Sequence, residues 1–161
     1  MRRTLKYGLA LGLSLLALLN AGCGSSDDED AAAEGSPVVK ALYIDKGDRI
    51  CQDNYAKRTK LLTRLSRELS KKNNLPSRAE QEEILVKQIM PIFWEESKEL
   101  NDLPLPKEDA KEAEQILAEL EQSIEDVEAH PARSLSRGTG VEFKDVERHA
   151  QKYGFEWCGR S

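Results

Sequence analysis

The chain has 161 residues, of which 33% are charged and 39% hydrophobic, enough for one domain with a tail. A mean hydropathy of −0.60 excludes a polytopic membrane protein. Formal charge is −5, and residues 1–22 carry Arg2, Arg3 and Lys6 with no acid, so the remainder holds 21 bases against 29 acids, net −8. Phosphate binding needs a basic footprint and base stacking needs aromatics, which are only 6% here, so nucleic acid is excluded as a partner.

Residues 1–6 form a basic head and residues 7–22 an apolar run of 16, shorter than the roughly 20 residues of a spanning helix. That layout predicts a secretory signal peptide over residues 1–22. Ala21-Gly22-Cys23 resembles the lipobox of bacterial lipoproteins, with Asn20 where an apolar residue is usual and Leu19 one step earlier. The resemblance implies cleavage before Cys23 and lipidation of its thiol by palmitate-type acyl chains. Each buried CH₂ contributes about 0.8 kcal/mol, so two or more chains anchor a protein stably where one does not. Residues 24–37 (GSSDDEDAAAEGSP) are small, polar and acidic, which predicts a flexible tether from the lipidated Cys23 to residue 37, spanning roughly 20 Å.

Three cysteines remain to be accounted for. With Cys23 lipidated, Cys51 and Cys158 form an even pair, and outside the cytoplasm a disulfide is the default. Closing a loop of about 100 residues stabilises by up to about 4.7 kcal/mol in the chain-entropy picture. A reactive or metal-binding pair is the alternative, without a CxxC or a nearby histidine to support it.

Residues 38–161 read as helical throughout. Over about 41–73, Ile44, Cys51, Tyr55, Leu62, Leu65 and Leu69 mark one face, with Asp48 and Arg58 in its skipped slots and Asn73-Asn74-Leu75-Pro76 as the stop. Ser77 and Glu80 form a capping box at the start of the second helix, whose stripe is Leu85, Ile89, Ile92, Glu96 and Leu100. Pro91 lies inside it, and an interior proline either kinks or splits a helix. Ala110, Ala113, Leu117, Leu120, Ile124 and Val127 define a third helix that His130-Pro131 ends. A mobile loop is expected over residues 134–140, then a short helix over about 142–153 with Gly154 as its stop. No segment shows strand alternation. The prediction is an all-α antiparallel bundle of three long helices and one short C-terminal helix, closed by one disulfide.

Chemistry-bearing groupings are sparse. Residues 57–72 are basic, and Lys57, Arg58, Lys60, Arg64 and Arg67 form a possible patch for anionic head groups or an acidic partner, while residues 107–128 carry nine acids. Solvated faces that attract weakly across the bundle are the plainer account. Glu96 lies on an apolar stripe, which fits either a shifted acid in a cleft or a paired residue at the core edge. His130 and His149 are in no metal-ligand spacing, and no nucleophile elbow or phosphate loop occurs. Neither metal nor other cofactor, and no catalytic residue, is assigned.

The segments Asp48-Arg49-Ile50-Cys51 and Tyr153-Gly154-Phe155-Glu156-Trp157-Cys158-Gly159 resemble small actinobacterial lipoproteins of unassigned function. That resemblance implies the Cys51–Cys158 pairing and no activity. The expected function is a lipid-anchored binding or interaction module on the extracytoplasmic face of the cell membrane, its partner an envelope protein or small ligand. The alternatives are an envelope enzyme acting on peptidoglycan or lipid, built on Glu96, Asp48 and His149, and a structural spacer. Intact mass of the mature protein checks the export reading: the mass expected is that of a chain starting at Cys23, plus acyl chains, less two hydrogen atoms for an oxidised Cys51–Cys158 pair.

Overall fold

The computed structural model describes residues 39–72 and 75–160. The signal peptide, Cys23 and the tether lie outside the described residues, as does the Asn73-Asn74 stop. Among the described residues the fold is all-α: α1 (Lys40–Lys72), α2 (Arg78–Ile84), α3 (Met90–Asn101), α4 (Ala110–Ala129), α5 (Pro131–Arg137) and α6 (Lys144–Tyr153). α1 packs on α3, α3 on α4 and α4 on α6, while α5 lies against α2 and α4. The core gathers Tyr43, Phe93, Leu120, Ile124, Phe143 and Val146 from these elements.

α1 runs 33 residues, about 50 Å at 1.5 Å per residue. Its buried face is not the leucine stripe. Tyr43, Gly47, Cys51, Asn54 and Arg58 are buried, whereas Tyr55 is 38% and Leu62 51% exposed. The reason is what α1 meets. A Cβ on Gly47 would lie 2.6 Å from the Phe155 ring, so only glycine lets the C-terminal tail approach. Asn54 and Arg58 bond to carboxylates of α3. A stripe of glycine, asparagine and arginine is invisible to hydrophobic periodicity.

The capping box at Ser77 is present: Glu80 N–H donates to Ser77 Oγ at 3.3 Å, and Ser77 N–H to the Glu80 carboxylate at 2.7 Å. A π-helical turn, Leu85–Ile89, joins α2 to α3 and resolves the Pro91 question. Proline has no N–H and its ring crowds the carbonyl four residues back. The wider turn just before it absorbs both defects, and Met90 N–H reaches back five residues to the Leu85 carbonyl. The helical backbone runs on through Pro91, and the extra residue rotates the face just after it by about 100°. Met90 and Phe93 are therefore buried where Ile89 and Ile92, half-buried, were expected.

α4 matches its predicted stripe, with Ala113, Leu117, Leu120, Ile124 and Val127 buried. The expected mobile loop is instead ordered. Pro131 sits in the first turn of α5, where its missing N–H costs nothing. Arg78 of α2 donates to the Ala132 carbonyl and, at 2.7 Å, to Ser136 Oγ, and Ser134 Oγ donates to Glu142 at 3.1 Å. Two serines read as flexible, Ser134 and Ser136, are hydrogen-bonding groups of a short helix and its neighbours.

Gly154 ends α6 with φ +124°, turning the tail toward α1. There Asp48 accepts the N–H groups of Glu156 and Trp157 at 3.0 and 2.8 Å. Cys158 joins Cys51, closing a separation of 107 residues with both cysteines buried. The Cys51→Ala/Cys158→Ala variant is expected to lose about 2–5 kcal/mol of stability in urea unfolding, and reductant on the wild type is expected to reproduce that loss.

Candidate functional site

Beyond Arg58 no described residue of α1 is fully buried. This distal half has three faces at about 100° per residue. Leu62, Leu65 and Leu69 form one, Thr59, Thr63, Ser66 and Ser70 the next, and Lys60, Arg64, Arg67 and Lys71 the third. The three leucines and, from the hydroxyl face, Thr59, Ser66 and Ser70 line a groove of about 770 Å³, closed on its other side by Ile84, Leu85, Ile89, Met90 and Phe93 and at one end by Leu135 and Phe143. That volume is in the range of ligand pockets, about 300–1,000 Å³. Uncharged Gln81, Thr139, Ser66 and Ser70 supply its polar rim.

Among the described residues that line the groove, Arg58 alone is charged. It is 5% exposed and Glu96, on α3, is 1% exposed. Their side chains meet at 2.5 Å. A second Arg58 nitrogen donates to the Arg160 carbonyl at 2.8 Å, and the guanidinium lies 4.0 Å from the centre of the Phe93 ring. Phe93 in turn stacks on Phe143 at 4.5 Å. One cation thus joins α1, α3 and the C-terminal tail at the floor of the groove. Beside it, Asn54 donates to Glu99 at 2.8 Å and Lys57 pairs with Glu95 at 3.1 Å, extending the polar seam between α1 and α3.

The expected basic patch is therefore divided. Arg58 is buried and neutralised, pointing into the groove, and Lys57 is turned to the carboxylates of α3. Lys60, Arg64 and Arg67 are exposed on the far side of α1. The trio Glu96, Asp48 and His149 is not assembled either. Glu96 faces Arg58, Asp48 holds the tail, and His149 Nδ1 meets Glu119 at 2.5 Å between α6 and α4. Each is a strut with its own partner. Among the described residues no three metal-ligating side chains cluster. The groove walls contributed by Met90, Phe143 and the Thr/Ser face were missed in the sequence. The three-faced distribution along residues 59–71 was the signal that could have shown them.

No family model, no curated protein and no solved structure matches the chain.

Burial pushes the Glu96 carboxyl above its ordinary value, and the Arg58 guanidinium pulls it back without cancelling the rise. The folded protein then holds this proton more tightly than the unfolded chain does. The contribution of Glu96 is greatest below the ordinary value of 4.5 and is lost as pH rises through the elevated one. Glu96→Gln is expected to flatten that fall in stability, measured as urea midpoint against pH. Removing one partner of a buried pair leaves an uncompensated charge, so Glu96→Ala is expected to destabilise by about 3–5 kcal/mol, and Arg58→Met/Glu96→Leu to recover most of it.

Proposed function

We propose that the protein is a binding module whose groove takes an elongated, neutral, apolar ligand of the acyl-chain class, and that Cys23 anchors it on the extracytoplasmic face of a membrane. The observation that carries the ligand class is the lining. The groove is long and apolar, its rim is uncharged, and its one cation is already neutralised by Glu96. A charged ligand gains no compensating partner there, and burying an unpaired charge is costly. Two Arg58 nitrogens are engaged by Glu96 and by the Arg160 carbonyl, and a guanidinium carries five N–H donors in all. Arg58 can therefore donate to one ester or carbonyl oxygen at the inner end of the ligand.

The membrane placement rests on the lipobox-like Ala21-Gly22-Cys23 and the preceding basic and apolar segments. No helix among the described residues is long and apolar enough to cross a membrane. Separate engagement of Glu96, Asp48 and His149 leaves the enzyme reading without a constellation. The test is fluorescence titration with the methyl ester of cis-parinaric acid, which brightens in apolar surroundings. Saturable binding is expected, weakened at least tenfold, about 1.4 kcal/mol, in Leu62→Asp/Leu69→Asp, whose side chains face the groove from outside the core. Absence of saturable binding, or equal binding by that variant, overturns the reading.

A further inference from the structure

The third face of the distal half of α1 has no part in the groove. Lys60, Arg64, Arg67 and Lys71 follow one another at steps of 4, 3 and 4, so they form one exposed row. From Lys60 to Lys71 the row is about 17 Å long at 1.5 Å per residue. Among the described residues Lys60, Arg67 and Lys71 make no ion pair, and the Arg64–Glu68 separation is 4.0 Å, the outer limit of contact. Like charges at helical spacing repel, which costs stability unless something of opposite sign covers them. The nine acids of residues 107–128 do not, since α4 packs on α3 and α6.

The row also has an aromatic end. It shares a depression with Tyr55 and Trp157, whose ring centres are 5.8 Å apart. The Arg160 guanidinium lies 4.6 Å from the Trp157 ring. Tryptophan and tyrosine, apolar rings with a polar handle, favour the head-group layer of a bilayer, and a cationic row favours its anionic surface. With Cys23 read as a lipid anchor, a bilayer surface is the partner held nearest to this face.

We propose that this face, Lys60, Arg64, Arg67 and Lys71 with Trp157 at its edge, docks on an anionic phospholipid bilayer. The row stands on the opposite side of α1 from the groove leucines, so docking leaves the groove open away from the bilayer. The inference rests on the groove reading only for what it implies about that orientation. Each basic side chain near an anionic surface strengthens association about fivefold.

The experiment uses the full chain in a Trp94→Phe background, which leaves Trp157 as its one tryptophan. The protein is mixed with vesicles of phosphatidylcholine alone, or of phosphatidylcholine and phosphatidylglycerol in equal parts. Both contain phosphatidylcholine brominated on its acyl chains as a quencher. The N-terminal segment, with its own charges, is identical in wild type and in Lys60→Glu/Arg67→Glu/Lys71→Glu, so the difference between those two proteins in the anionic vesicles reports the face itself. Quenching of Trp157 is expected in the anionic vesicles only, and is expected to vanish in high salt and in Lys60→Glu/Arg67→Glu/Lys71→Glu. Equal quenching in both vesicle types, none in either, or quenching unchanged in the triple variant overturns the proposal. Salt-sensitive self-association without quenching assigns the row to the acidic helix of a second copy and equally overturns it. The two readings fail separately: the triple variant must keep probe binding in the groove, and Leu62→Asp/Leu69→Asp must keep the quenching.

Discussion

Arg58 is placed where a helix of this length most needs a decision. Toward the N-terminus of α1, a glycine, a cysteine and an asparagine let the helix lie close to the rest of the domain. Toward the C-terminus nothing does. The guanidinium, held by Glu96, the Phe93 ring and a tail carbonyl, marks the last point at which α1 is inside the protein. A hydrocarbon side chain in its place could fill the volume, and apolar replacement of a buried ion pair is often neutral or better for stability. What the pair adds is direction. A planar donor accepts only a few arrangements of acceptors, so the crossing of α1 over α3 is fixed in register as well as in contact.

That register is what opens the groove. With α1 pinned at residue 58, the leucines beyond it reach toward Ile84 and Ile89 without closing on them. The π-helical turn contributes from the other side, because its extra residue turns Met90 and Phe93 inward and brings Leu85 into the groove wall. Two local departures from hydrophobic helix packing, one polar and one geometric, thus produce the same concavity.

Much of the architecture was legible from residue spacing. The α4 stripe and its end at His130, the Ser77 capping box and the even cysteine pair each follow from a local rule, and each stands as read. The losses have specific causes. The buried face of α1 is small and polar, so its spacing was masked by leucines that serve the groove. In the second stripe Leu85, Glu96 and Leu100 are buried as expected, but Ile89 and Ile92 give way to Met90 and Phe93, because a π turn has no sequence signature beyond a proline that usually signals a break. The 134–140 segment contains Ser134, Ser136, Gly138 and Gly140, and composition alone could not show that Arg78 and Glu142 would order it. Asp48 and Arg58 were visible as gaps in an apolar pattern, yet their partners, a tail more than a hundred positions away and an acid on another helix, are tertiary facts.

The bridge between Cys51 and Cys158 has a topological consequence. It makes everything from the middle of α1 to the tail a covalent ring. A protease that nicks any connector within that ring, such as the segment between α3 and α4, leaves both products linked at unchanged mass apart from one added water. Such a cut becomes visible on a gel only after the sulfurs are parted, so the non-reduced chain hides the places where its surface is most easily opened.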